Sequence, residues 1–231
     1  MNPRLHWRVR RLSKPALVLL CSSVLAGYAA TRPAPSEPAL DELIQIVNAR
    51  YDSLTTMRAD FTEIYTGGGQ NREESGVLYL RKPGKMLWQY RQPQAKIFLV
   101  DGRRAWLYVA GDSQAQEQTI KNSADLRTPL RWLLGKMNLN REMAGLSFGG
   151  LDPLTPGDKV IRGAPRFMED RFREVLLEIS PAYDITRIVI RQQDGTQIDF
   201  RLSQIQANIR LPSSLFRFTP PPGVKTVPAT G

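Results

Sequence analysis

Polar and apolar side chains alternate along most of the chain from Met57 onward, and two stretches carry an apolar stripe at helical spacing. In the first, Leu43, Ile44, Val47 and Tyr51 recur every three or four residues, with Leu40 and Leu54 extending the stripe. This spacing predicts a helix from near Asp41 to near Ser53. Asp41 and Glu42 suit its positive N-terminal end. In the second, Leu126, Leu130, Leu133 and Leu134 predict a short amphipathic helix between Ala124 and Lys136. Pro129 fits its first turn and Gly135 its end.

The alternating stretches predict strands over 57–65, 75–81, 85–90, 95–100, 103–109, 114–120, 159–162, 173–180, 185–192 and 196–207, with a short last strand over 216–219. Turn residues punctuate them. Gly67 to Gly69 form a flexible turn, and Pro83-Gly84 is a turn dipeptide. Asp101-Gly102 and Asp194-Gly195 are two-residue hairpin signals. Residues 149–157 are turn-rich, and Pro220 to Pro222 end the ladder. About ten short strands and few helices predict an α+β, mainly β chain. Its single antiparallel sheet is strongly curved and curls toward a barrel.

The first tenth of the chain reads differently. Arg4, Arg8, Arg10, Arg11 and Lys14 come with no acid, and the largely apolar run 16–30 ends in small residues. That pattern predicts a signal peptide over 1–29, too short and too broken by Ser22 and Ser23 for a bilayer span. Residues 30–39 form a proline-rich flexible tether, 40–227 a single domain, and 228–231 a tail. An alternative start lipidates Cys21 and keeps it as an anchor, although Leu20 stands where lipoprotein signals want a small residue. Either start means export.

Signal removal changes what chemistry is open. The chain's one histidine, His6, and one cysteine, Cys21, both lie inside 1–29. Five of its 32 basic side chains leave too, which takes the formal charge from +10 to +5. A Ser-His-Asp triad, a Cys-His pair, a zinc site built on His or Cys and an internal disulfide are then excluded. Nothing fixes the acidic pairs Glu73-Glu74, Glu169-Asp170 and Glu174/Glu178 in the geometry of a glycosidase couple, and Glu174 and Glu178 read as solvent-facing strand residues. Gly67 to Gly69 lack the Lys-Ser/Thr of a phosphate loop. The basic pairs Arg81-Lys82 and Arg103-Arg104 belong to no larger aromatic-laced surface, so nucleic acid is not an expected partner. No metal or cofactor is expected.

The third predicted strand places Met86, Trp88 and Tyr90 on one face. Trp106 and Tyr108 likewise share a face. Such residues either pack a core or line an adaptable apolar cavity. On the cavity reading Met86, Trp88, Tyr90 and Trp106 belong to its walls. Met86→Glu should then reduce ligand binding with less effect on folding.

Five segments carry a resemblance: MRADFTE (57–63), GVLYLRKPGKMLWQY (76–90), QPQAKIFLVDGRRAWLY (92–108), TPLRWLLG (128–135) and LFRFTPPPGVK (215–225). Together they resemble the LolA family of periplasmic outer-membrane lipoprotein carriers across residues 40–227. The resemblance implies an incomplete, half-open β-barrel with a lid of short helices over its mouth. It implies a periplasmic, monomeric, non-enzymatic carrier of lipoprotein acyl chains. The partners it implies are an inner-membrane ABC-type lipoprotein release transporter and an outer-membrane lipoprotein receptor. Met86 and Trp88 match cavity-facing positions and Phe98 an apolar position on the next strand, with Leu78 completing the implied lipid-binding walls, and Leu130, Leu133 and Leu134 match the lid. In the family an arginine before the proline bonds lid carbonyls. Lys82 holds that place here and is the gating candidate, while Arg81 should point to the opposite sheet face. An outer-membrane-anchored receptor or a lipid-sensing module of the same fold is the alternative, and acylated protein and glycolipid both suit an apolar cavity.

Overall fold

The protein, seen in a computed structural model, is described over residues 38–120, 133, 135–166 and 169–229. Helix α1 spans Leu40–Asp52. Six strands follow: β1 (Thr56–Gly67), β2 (Gln70–Arg81), β3 (Lys85–Gln92), β4 (Lys96–Val100), β5 (Arg104–Val109) and β6 (Gln114–Thr119). A one-turn helix α2 (Leu139–Glu142) leads into β7 (Met143–Phe148), β8 (Lys159–Pro165), β9 (Phe172–Ile179), β10 (Ile185–Gln192) and β11 (Gln197–Ala207). A 3-10 turn over Ser213–Phe216 and β12 (Lys225–Pro228) complete the order.

Among the described residues, twelve strands join one sheet in the order β12-β6-β5-β4-β3-β2-β1-β11-β10-β9-β8-β7. The sheet is curved and does not close. Its pairs are antiparallel except at one edge, where β12 runs parallel to β6. Two strands escape the alternation pattern. In β7, Gly145 sits at φ 61° within a register shift, which breaks the period of two. β12 is too short to show a period at all. The expected strand over 216–219 does not form. Phe216 instead ends the 3-10 turn with its ring buried, where the Arg81 guanidinium lies 5.2 Å from its centroid.

The two faces of the sheet are both covered. On the inner face α1 lays down Leu43, Ile44, Val47 and Tyr51, all at most 1% exposed. Burial of each such side chain stabilises by about 2 kcal/mol. They join one continuous cluster with Met57, Leu78, Met86, Trp88 and the inward residues of β8 to β11. On the outer face the segment after β11 packs Leu211 and Phe216 onto Leu87, Leu99 and Trp106. A third cluster, Val160, Leu176 and Val189 with Leu151, lies on the outer side of β8 to β10. Double-sided burial explains why β9 and β10 lack clean alternation. It also corrects the reading of Glu178 as solvent-facing. Its carboxylate is 2% exposed and accepts from the backbone N–H groups of Leu154 and Thr155 at 2.7 and 3.1 Å.

Polar ties fix the C-terminal half of α1. Arg50 pairs with Asp184 at 2.6 Å. The Tyr51 hydroxyl accepts from Ile185 N–H at 2.9 Å, and burial pushes that phenol far above its usual range. Asn48 and Asp52 accept from Leu139 N–H and Met137 N–H at 3.0 and 2.7 Å. The last two bonds hold the segment before α2 beneath the helix and place Met137 and Leu139 in the inner cluster.

Candidate functional site

Directly opposed residues share a face in an antiparallel sheet. The register therefore writes the inner surface of β1 to β4 as three rows. Met57, Leu80, Met86 and Val100 form the first, nearest the β2–β3 turn. Ala59, Leu78, Trp88 and Phe98 form the second. Phe61, Gly76, Tyr90 and Lys96 form the third. The aromatic rings interlock across these rows. Phe61 meets Trp88 edge-on at 4.7 Å and Tyr90 at 4.9 Å. Trp88 lies 5.1 Å from Phe200 of β11. Its indole N–H donates to Met86 Sδ at 3.1 Å, so the one polar atom of the ring is satisfied inside the cluster.

Five of the six cavity residues expected from sequence meet on this surface. Leu78, Met86 and Trp88 are buried, and Tyr90 and Phe98 pack against them half-buried. Trp106 is the exception. It opposes Leu99, which opposes Leu87, so it projects from the outer face. There it stacks on Phe218 at 5.8 Å. The hairpin register across Asp101-Gly102 forces this placement, because it pairs even-numbered positions of β5 with odd-numbered positions of β4. Phe61 and Phe200 complete the inner aromatic group. Phe61 is legible as the centre of an alternating strand, whereas Phe200 requires the β1–β11 pairing.

Lys82 closes the end of the surface at the first row. Its Nζ donates to the Tyr51 carbonyl at 2.6 Å. The carbonyl it meets therefore belongs to α1, and a cation there faces the negative end of the helix dipole. Burial lowers the ammonium's pKa, and the Asp52 charge partly restores it. Leu133 is buried close by and lines a small pocket with Tyr51, Met57, Leu80 and Lys82. That pocket encloses about 10 Å³, room for about one water. Leu130 and Leu134 lie outside the described residues. Arg81 points to the outer face as expected, donating to Ser213 Oγ at 2.9 Å and to the Leu211 carbonyl.

The far end of the surface is polar. Glu63 and Glu74 oppose each other one row beyond Phe61. The Tyr90 hydroxyl donates to Glu63 at 2.6 Å. Lys96 Nζ donates to both Glu74 oxygens at 2.8 and 2.6 Å and lies 4.1 Å from the Tyr90 ring centroid. Arg72 approaches Glu74 at 3.5 Å. Burial raises the Glu63 carboxyl above its ordinary 4.5, and the Tyr90 bond and the Lys96 charge only partly oppose this. A raised folded-state pKa means that protonation favours the fold. The contribution is full below 4.5 and is lost as pH rises through the raised value. Glu63→Gln should remove that slope. Urea midpoints of the two proteins should diverge at neutral pH in favour of the variant and converge in acid. Equal offsets at both pH values would contradict this.

Among the described residues, no three His, Cys, Asp or Glu side chains gather as a metal site. What the geometry assembles is an open sheet whose helix-covered inner face is apolar at its centre and polar at both ends. The chain belongs to the outer membrane lipoprotein carrier protein LolA family, whose model matches residues 52–219. An outer-membrane lipoprotein carrier protein of Legionella pneumophila (strain Lens) is 28% identical over 79% of this chain and 88% of its own length. One from Chromobacterium violaceum is 25% identical over 91% of this chain and 96% of its own. Among solved structures, an uncharacterized conserved protein from Thermus thermophilus aligns with a TM-score of 0.52 at 13% identity. The alignment covers 83% of this chain and all of that one, which shows a shared fold.

Proposed function

We propose that the protein is a periplasmic carrier of lipid-modified protein. It shields acyl chains from water and passes them from an inner-membrane ABC-type release transporter to an outer-membrane lipoprotein receptor. The observation that carries this reading is the continuous apolar surface beneath α1, from Met86 through Trp88 and Phe61 to Phe200. The names of the relatives agree with it. The protein works as a monomer and performs no covalent chemistry.

The physics of the exchange follows from how α1 is held. The polar ties described above fall on residues 48–52, while Leu43, Ile44 and Val47 hold the first turns by burial alone. Apolar contact is non-directional, so methylenes can replace it. Each acyl methylene taken from water contributes about 0.8 kcal/mol. The helix side chains it displaces, with Leu133 and Met137, lose a comparable contact. Uptake and release are therefore close to balance, as a carrier needs. Leu133, buried beside α1, moves with the lid. Cargo enters beside Lys82 once its tie to the Tyr51 carbonyl releases, and the first turns of α1, held by burial alone, yield to the acyl chain.

Lys82 is the latch in this scheme. Lys82→Met removes a charge-assisted bond to the Tyr51 carbonyl and raises the open population. The apparent affinity for a fluorescent acyl probe is expected to rise about tenfold. Unchanged or weaker probe binding by the folded variant would count against the latch.

A further inference from the structure

The inner surface of β1 to β4 changes character abruptly after its third row. Met57, Ala59 and Phe61 face inward in sequence along β1, and the next inward residue is Glu63. Across from it on β2 stands Glu74 rather than another apolar residue, while on β11 it faces Phe200. Both carboxylates are buried, at 8% and 7% exposure. Each is engaged by a side chain of the neighbouring strands, Glu63 by Tyr90 and Glu74 by Lys96. The surface thus has a polar wall whose groups are already satisfied by one another.

We propose that the Glu63–Tyr90 pair, backed by Glu74–Lys96, is the closed end of the acyl site and limits the length of chain the protein accepts. The inference rests on the carrier reading above and adds a specificity determinant to it.

The limit comes from polar groups that a longer chain would leave unpaired. A chain entering beside Lys82 runs over Met86, then Trp88 and Phe98, and reaches Tyr90 in the third row. A terminal methyl driven further must part the Tyr90 hydroxyl from Glu63. A methyl offers neither a donor nor an acceptor, so the buried carboxylate is left unsatisfied. Gly76 adds a second restriction. It contributes no side chain to the third row, so Phe61 and Tyr90 meet edge-on across it at 4.9 Å and fill the passage. From Met57 to Glu63 is about six strand residues, or about 20 Å at the ordinary strand rise. That matches a fully extended palmitoyl chain.

The test measures displacement of a fluorescent acyl probe by diacylated lipopeptides bearing lauroyl, myristoyl, palmitoyl, stearoyl or arachidoyl chains. The native protein is expected to bind more tightly with each step up to palmitoyl, then about tenfold more weakly for arachidoyl. The double variant Glu63→Leu with Tyr90→Phe removes both partners together, leaving neither one orphaned. Its affinity should keep rising past palmitoyl. A monotonic rise in the native protein overturns the proposal without need of a variant. The same cut-off in the folded double variant also overturns it. Failure of the folded native protein to bind any chain length overturns the carrier reading itself.

Discussion

Replacing Gly76 with alanine is expected to cost the fold about 3 kcal/mol or more. The added Cβ would lie 2.8 Å from the Tyr90 Cα and closer still to the Gln89 carbonyl oxygen. Both are backbone atoms of the paired strand, and neither can swing aside as a flexible side chain would. The strain falls beside the register shift between Ser75 and Gly76, where β2 and β3 already depart from regular pairing. Relief requires β3 to move away from β2 at Tyr90, which loosens the third row and the Glu63 bond together. Urea unfolding should show a lower midpoint with an unchanged slope. A loss under about 1 kcal/mol would mean that the two strands separate at little cost, contrary to the close approach described.

Met86→Glu is expected to have the other large effect. Met86 is 1% exposed and accepts the Trp88 indole N–H at 3.1 Å. Its row neighbours Leu80 and Val100 are apolar and buried. A carboxylate there has no cationic partner in its row, so it either ionises at great cost or stays protonated in a misfitting pocket. Destabilisation of about 4 kcal/mol is expected. The sequence-based expectation of a smaller effect on folding assumed a standing cavity. In the closed protein the same position is core. Thermal unfolding of the variant beside Met86→Leu separates charge from shape. Methionine to leucine should cost under about 1.5 kcal/mol. Equal losses for both would remove the electrostatic argument.

These two positions show what the sequence disclosed and what it withheld. The α1 stripe of Leu43, Ile44, Val47 and Tyr51 is legible because local period alone determines which helix face is buried. So is the run Met86, Trp88, Tyr90, since alternation within one strand needs no partner. Trp106 falls on the face opposite to the expected one because its face depends on pairing with Leu99 across a hairpin. Glu178 departs from expectation because the outer face is itself covered, so polar residues there are not necessarily wet. The carbonyl that Lys82 meets lies 31 positions away along the chain, a contact that no local pattern encodes. The polar wall at Glu63 is present in the alternation of β1. Its meaning emerges only when Tyr90, Glu74 and Lys96 arrive from three other registers.

The central claim is that this inner face holds lipoprotein acyl chains. Native mass spectrometry of the folded protein tests it most directly. The protein is mixed with a diacylated lipopeptide, with the same peptide lacking acyl chains, and with a glycolipid of matched chain length. A one-to-one complex with the acylated lipopeptide is the predicted result, with none formed by the bare peptide. Folded protein that retains no acylated lipopeptide, or that retains only the glycolipid, would contradict it.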